Sequence, residues 1–422
     1  MITSKNTRNK EAFVWIWLPG QTAPVVAGKL QADEENLLFN YGKSYLERIN
    51  DENPAISIYE PELPLTAGIF PLPDGLAMPG CIRDAAPDAW GRRVIINKKL
   101  GLKGKDTDTA ELDELTYLLE SGSDRIGALD FQFSPSEYVP RSPINASLLE
   151  LLESAERVEK GIPLTPELDQ ALFHGSSIGG ARPKALIEDQ NVKYIAKFSS
   201  NSDLYNMVKA EFVAMRLAAL AGLDVASVKL TQAASRNVLL IERFDRKAIN
   251  HGWSRRCMVS ALTLFGLDDM TARYASYENL AEIIRYRFTE PKKTLKELFS
   301  RLVFNVLCGN TDDHARNHAA FWNGRELTLT PAYDVCPQGR SGNEASQAMK
   351  IAGDNNLSQL KTCLRTAHNF LLSGKEAYGV FDQIEGTIND RWDDVCEEAQ
   401  LSQVDKTRLW KRQILNPFST ER

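Results

Sequence analysis

What the sequence lacks narrows its identity first. No run of ~18 apolar residues occurs, so no membrane-spanning helix is expected. Met1 to Lys10 is polar and basic with no apolar stretch behind it, so no secretory signal is expected. None of the six cysteines (Cys81, Cys257, Cys308, Cys336, Cys363, Cys396) forms a CxxC pair, and of the five histidines only His314 and His318 lie close together. That spacing does not suit zinc, and the thiols read as reduced, buried and cytoplasmic. A surplus of positive charge is missing too. Lys+Arg 50 against Asp+Glu 56 gives a net charge of -6, which disfavours non-specific binding to nucleic acid or anionic membrane by the chain as a whole.

What is present is ordinary globular material: 422 residues, 43% hydrophobic and 25% charged, enough for two to four domains or one large enzyme with subdomains. No internal repeat is visible. Strands are expected over Phe13 to Leu18, Val25 to Leu30 and Leu37 to Tyr41. A proline-rich ordered loop follows (Pro61, Pro64, Pro71, Pro73, Pro79). Helices are expected over Asp84 to Lys99 and Asp113 to Ser121, and a strand over Arg125 to Phe133. Pro135 to Pro143 reads as a linker and Ala146 to Lys160 as a connecting helix. Beyond Phe265 the pattern is mostly helical with one β interruption near residue 320.

Five segments carry candidate chemistry. Gly175-Ser-Ser-Ile-Gly-Gly-Ala-Arg-Pro-Lys184 is a small-residue loop whose backbone N–H groups could approach a phosphate, with Arg182 or Lys184 adding charge. It lacks the GxxxxGK[ST] spacing of a Walker loop. Val192 to Phe198 alternates as a strand, with Lys193, Ile195 and Lys197 on one face. In the helix expected over Tyr205 to Ala221, Glu211 sits at the edge of the apolar stripe. A buried carboxylate there needs a partner, and Lys197 is the natural one. Val238 to Ile241 runs into Glu242-Arg-Phe-Asp-Arg246, which suits a hinge facing an adenine edge. Each of these four also has a plain explanation: a tight turn, a solvent-facing lysine, an outward glutamate, an ordinary strand end.

The fifth segment is the most informative. A core-facing helix marked by Leu295, Leu298, Phe299, Leu302, Val306 and Leu307 stops at Gly309. Asn310-Thr-Asp-Asp-His-Ala-Arg-Asn317 follows, then a hairpin turning at Asn323-Gly324, then Pro331-Ala-Tyr-Asp334. The hairpin brings its two ends together, so Asp312, Asn317 and Asp334 can converge. Asp312 and Asn317 have the Asp-to-Asn spacing of the kinase loop HRDxxxxN, and such oxygen ligands suit Mg²⁺. Asp313 offers a second carboxylate but lacks that spacing. The order of parts (Gly loop, strand Lys, helix Glu, hinge, Asp…Asn loop, hairpin, Asp) is the protein-kinase order.

On these motifs the sequence resembles the HipA family of serine/threonine kinases, the toxins of bacterial toxin–antitoxin pairs. The match rests on residues 177–184, Ile-Ala-Lys-Phe (195–198), Glu-Arg-Phe-Asp-Arg (242–246), Asn-Thr-Asp-Asp-His-Ala-Arg-Asn (310–317) and Tyr-Asp (333–334). Pro87-Asp88 and Gly122-Ser-Asp-Arg-Ile-Gly-Ala128 resemble the family's smaller N-terminal subdomain. The resemblance implies an α+β fold: a β-rich N-terminal subdomain (1–140), a kinase N-lobe (141–245) and a helical C-lobe (246–422).

It further implies ATP and Mg²⁺ as cofactors. Gly179, Gly180, Ala181, Arg182 and Lys184 would cover the ATP phosphates. Lys197 would contact the α/β-phosphates and pair with Glu211, while Glu242, Arg243 and Phe244 would meet adenine. Asp312 would accept the substrate hydroxyl proton, His314 would brace the loop, and Asn317 and Asp334 would hold Mg²⁺. Ser177, or adjacent Ser176, would be the autophosphorylation site that switches the kinase off. The partners implied are a small helix-turn-helix, HipB-like antitoxin, operator DNA through that antitoxin, and a translation-related protein substrate, with an aminoacyl-tRNA synthetase the leading candidate. A membrane partner is not expected. The competing readings are a small-molecule phosphotransferase on a kinase-like fold and a non-catalytic corepressor bound to a DNA-binding antitoxin. A local Lys/Arg excess over residues 243–301 reads as a solvated helical face.

Overall fold

The computed structural model describes residues 9–100, 112–141, 147–159, 162, 182–199, 205–249 and 252–422. Helices and antiparallel sheets are both abundant, so the fold is α+β. Internal contacts divide it into two compact units. One comprises Met1–Phe198, Asp245–Met258 and Asn323–Arg325; the other comprises Ser199–Phe244, Val259–Trp322 and Glu326–Arg422.

The first unit is built on an antiparallel sheet of order β3-β2-β1-β4. Its strands are β1 (Glu11–Ile16), β2 (Val25–Asp33), β3 (Asn36–Tyr41) and β4 (Leu129–Gln132). Alternation in β1 buries Ala12, Val14 and Ile16 on one face, as period-2 patterning requires. The helix expected over 84–99 starts five residues late, at Ala89. A single turn, Gly80–Arg83, is separated from α1 (Ala89–Leu100) by residues 84–88. Pro87 is the cause, since it has no N–H to donate and disfavours helical backbone at the residue before it. Helix α2 (Glu114–Glu120) is capped by the Asp113 carboxylate, which accepts from the Thr116 N–H. The connecting helix is α3 (Leu148–Glu159). The hairpin β5 (Lys184–Asp189) and β6 (Val192–Phe198) follows in the same unit.

The motif at residues 122–128 has a structural task that its sequence does not announce. Asp124 accepts from Lys193 Nζ at 2.6 Å and from Arg246 Nε at 3.0 Å. Arg246 also donates to the Gly127 carbonyl at 2.8 Å, and the Gly127 N–H donates to Asp245 at 2.8 Å. Gly127 has φ 77, backbone that glycine adopts at little cost. Asp124 thus ties β6 to Arg246, which itself donates to Asp245 at 2.8 Å. The hairpin that follows, Arg246–Ile249 with Gly252–Arg255, is not among the expected elements, because it carries charged residues on both strands and little apolar alternation.

In the second unit, Asn206 caps α4 (Met207–Leu220) by accepting from the Lys209 N–H. Gly222, at φ 88, ends that turn. A hairpin of β7 (Val228–Ala233) and β8 (Arg236–Glu242) follows. Helix α5 (Tyr277–Arg287) precedes α6 (Pro291–Cys308), which starts with proline at its first turn and runs through the core. Phe299 of α6 meets Phe370 at 5.2 Å and stacks on Phe381 of α7 (Gly374–Glu398) at 6.1 Å. The hairpin of β9 (Ala319–Trp322) and β10 (Leu327–Leu329) lies where the sequence places it, with Gly324 at φ 95 in its turn. Among the described residues, no helix is long and apolar enough to cross a membrane.

All six cysteines are free and buried. Burial pushes the Cys257 and Cys308 thiols up to about 12. At pH 8 each would then carry about a thousandfold less thiolate than a free cysteine, and thiolate is the reactive form. Ellman's reagent is expected to find almost no fast-reacting thiol in the native protein and all six after denaturation. A thiol that reacts at the rate of free cysteine in the folded state would contradict this.

Candidate functional site

The site begins where α6 ends. Gly309 is left-handed, at φ 75, and caps the helix. A Cβ there would lie 2.5 Å from the Gln413 carbonyl, so glycine is required twice over. The Asn310 N–H donates to the Asn305 carbonyl at 2.9 Å, and its side chain to Asn305 Oδ1 at 3.0 Å. The Leu415 N–H donates to the Leu307 carbonyl at 2.7 Å. This footing presents the next residues as a shaped loop.

In that loop Asp312 is exposed and Asp313 is 2% exposed. Neighbouring carboxylates thus point to opposite environments. The Asn317 side-chain amide donates to the Asp312 carbonyl at 3.2 Å, which leaves its oxygen available as a ligand. His314 braces the loop through its backbone, its carbonyl accepting from the Asn317 N–H at 2.8 Å. Its ring Nδ1 has no hydrogen-bond partner among the described residues.

Across the hairpin, the Tyr333 hydroxyl donates to the Arg316 carbonyl at 2.6 Å. This pins the residue before Asp334 onto the loop, between Asp312 and Asn317 in sequence. Asp334 is left-handed, at φ 59. A non-glycine residue held there costs of order 1–3 kcal/mol, and such strain clusters at functional sites. Phe244 braces the same place, with its ring 5.7 Å from Tyr333 and 5.9 Å from Phe321.

Beneath the loop lies a cavity of about 10 Å³, lined among others by Asp313, Asn317, His318, Arg301 and Tyr333. That is room for about one water-sized sphere. Of the two carboxylates, Asp313 is closed off from solvent and Asp312 is open to it. Asp313 instead accepts from the Tyr277 hydroxyl and from His318 Nε2, the latter at 3.1 Å. Sequence reading missed Tyr277 altogether, since no pattern links it to the loop. His318 was visible only as a near neighbour of His314.

The remaining predicted residues are distributed as follows. In the first unit, Lys184 stands directly opposite Lys197 across β5 and β6, so both side chains share a face. Lys184 is 4% exposed and Arg182 is exposed. Two lysines facing each other repel unless an anion lies nearby. In the second unit, Glu211 is 5% exposed, so it does not point outward. The Glu242 N–H donates to the Ser227 carbonyl at 2.9 Å, and Arg243 is 4% exposed. Ser176, Ser177, Gly179, Gly180 and Ala181 lie outside the described residues.

Comparison with known proteins adds a family context. The model of the HipA N-terminal domain matches residues 16–132, and that of the HipA-like C-terminal domain matches residues 176–392. The protein Y4mE of Sinorhizobium fredii, which carries a provisional kinase name, is 26% identical over 348 residues, 76% of each chain. The serine/threonine-protein kinase toxin HipA of Shewanella oneidensis is 26% identical over 160 residues, 34% of this chain and 36% of that one. The fold matches a chain in the Shewanella oneidensis complex of HipA, HipB and operator DNA with a TM-score of 0.68. That superposition covers 95% of this chain and 96% of the other at 20% identity.

Proposed function

Because the chain belongs to the HipA family of kinases, we propose that it is an ATP-dependent serine/threonine protein kinase, a HipA-like toxin acting on a translation-related protein in the cytoplasm. The loop carries this reading: Asp312 is exposed, Asn317 folds back onto its carbonyl, and Tyr333 pins the neighbour of Asp334 to the same segment.

Phosphoryl transfer asks little covalent chemistry of a protein and much positioning and charge neutralisation. Asp312 accepts the proton of the substrate hydroxyl. Asn317 and Asp334 supply oxygen donors only, which suit a hard cation such as Mg²⁺. When bound, Mg²⁺ neutralises phosphate charge. Lys184 and Lys197, opposite each other in register, supply the cationic face that the α/β-phosphates need, and the family resemblance gives Glu211 the role of orienting Lys197. Residues 179–184 cover the phosphates, and Glu242 to Phe244 meet adenine. Ser177, or Ser176 beside it, takes phosphate and switches the enzyme off. A HipB-like antitoxin brings the chain to operator DNA. A net charge of -6 supports this indirect route, because the chain carries no overall basic surplus of its own.

The test is labelled ATP with Mg²⁺ and cell lysate, followed by phosphopeptide mass spectrometry. A labelled protein band and phosphate on Ser177 or Ser176 are expected, both falling to background in Asp334→Ala and on chelation of Mg²⁺. Label confined to small molecules would instead establish a small-molecule phosphotransferase. Absence of label from an otherwise folded protein would leave a non-catalytic corepressor.

A further inference from the structure

We propose that Asp313, Tyr277 and His318 form a buried positioning network that aims the Asp312 carboxylate at the substrate hydroxyl. The inference rests on the kinase reading and deepens it.

A buried carboxylate is costly unless its oxygens are satisfied. Asp313 is satisfied twice, by the Tyr277 hydroxyl and by His318 Nε2. The two donors come from separate parts of the framework. Tyr277 opens α5, is 0% exposed, and is fixed by its own N–H, which donates to the Lys350 carbonyl at 2.9 Å. His318 leads into β9, is 3% exposed, and its carbonyl accepts from the Ala261 N–H at 2.8 Å. Their rings meet edge to face at 5.5 Å. Arg301 lines the same small cavity but is committed elsewhere, to Glu297 at 2.8 Å and the Asp224 carbonyl at 3.1 Å.

The consequence falls one residue away. Asp312 is held from both sides, by the anchored carboxylate of its neighbour and by its own carbonyl, which accepts from Asn317. Its side chain alone remains to turn. A base fixed in this way loses rate when its support is loosened, because displacements of about 1 Å can cost up to about 10²-fold. Asp313 itself never meets substrate; it acts through Asp312.

The experiment measures kcat and the KM for ATP of the full chain and of Tyr277→Phe, Asp313→Asn and Asp313→Ala, each normalised to the ATP-binding fraction. Tyr277→Phe keeps the ring and its packing and removes one hydrogen bond. It is expected to lower kcat about tenfold or more while the KM for ATP stays within about twofold. Asp313→Asn keeps an acceptor oxygen and should retain more kcat than Asp313→Ala. Wild-type kcat in both Tyr277→Phe and Asp313→Ala overturns the network while leaving the kinase reading intact. So does a loss that disappears on normalisation, which marks a purely structural role. A wild-type protein that transfers no phosphate overturns the kinase reading and the network with it.

Discussion

Asp312→Ala is expected to lower phosphoryl transfer by about 10²–10⁴-fold, the usual contribution of a positioned general base. The fold should be indifferent to the change. Asp312 is exposed, and the bond that shapes the loop uses its backbone carbonyl rather than its carboxylate. Surface substitutions of this kind move stability by no more than about 0.5 kcal/mol. Asp313 cannot take over, because it is buried and already accepts from Tyr277 and His318. The check is a phosphorylation time course beside a thermal melt. A variant that labels its substrate at the wild-type rate would remove Asp312 from the mechanism.

Asp130→Ala is expected to destabilise the first unit by about 3–5 kcal/mol, the cost of leaving buried cations without their anion. Asp130 and Arg125 both have side chains that are 0% exposed, 2.9 Å apart. Asp130 also accepts from Arg141 at 2.7 Å, Gln132 at 2.9 Å and the Tyr138 hydroxyl at 3.0 Å. Burial alone would push its carboxyl up, but Arg125 and Arg141 outweigh burial and hold it below the ordinary carboxylate range. Burial also lowers the Arg125 guanidinium to about 10.

The sign for pH follows. A carboxylate depressed in the folded state contributes stability above its unfolded value, about 3.9, and that contribution fades as pH falls below it. Urea titration at pH 7 should show the full deficit of Asp130→Ala, and the gap from wild type should narrow as pH drops below about 4. An unchanged midpoint at pH 7 would show that the cluster contributes little.

The second unit, with the candidate site, was the more legible in sequence, and the reason is locality. The stop at Gly309, the Asp312 to Asn317 spacing and the Asn323-Gly324 turn all express their physics within a few residues. The burial of Glu211 was foreshadowed by its place at the edge of an apolar stripe. What escaped reading depends on partners far away. Asp312 and Asp313 are chemically identical, and of the two groups that hold Asp313 inside, Tyr277 lies 36 residues before it. The motif at 122–128 could be matched but not explained, because Asp124 meets Arg246 across 122 residues. The late start of α1 was legible in principle, since Pro87 stands in the first turn of the expected helix.

The seat of Gly309 against Gln413, with the Leu415 to Leu307 bond beside it, also sets a schedule. The loop that bears Asp312 is synthesised well before the residues that support it. At ~5–20 residues per second, a ribosome needs roughly 5–20 s to cover the intervening stretch. Until that stretch emerges, the end of α6 lacks its support. The loop that bears Asp312 therefore takes its final shape only late in translation, whatever the rest of the chain has already folded into.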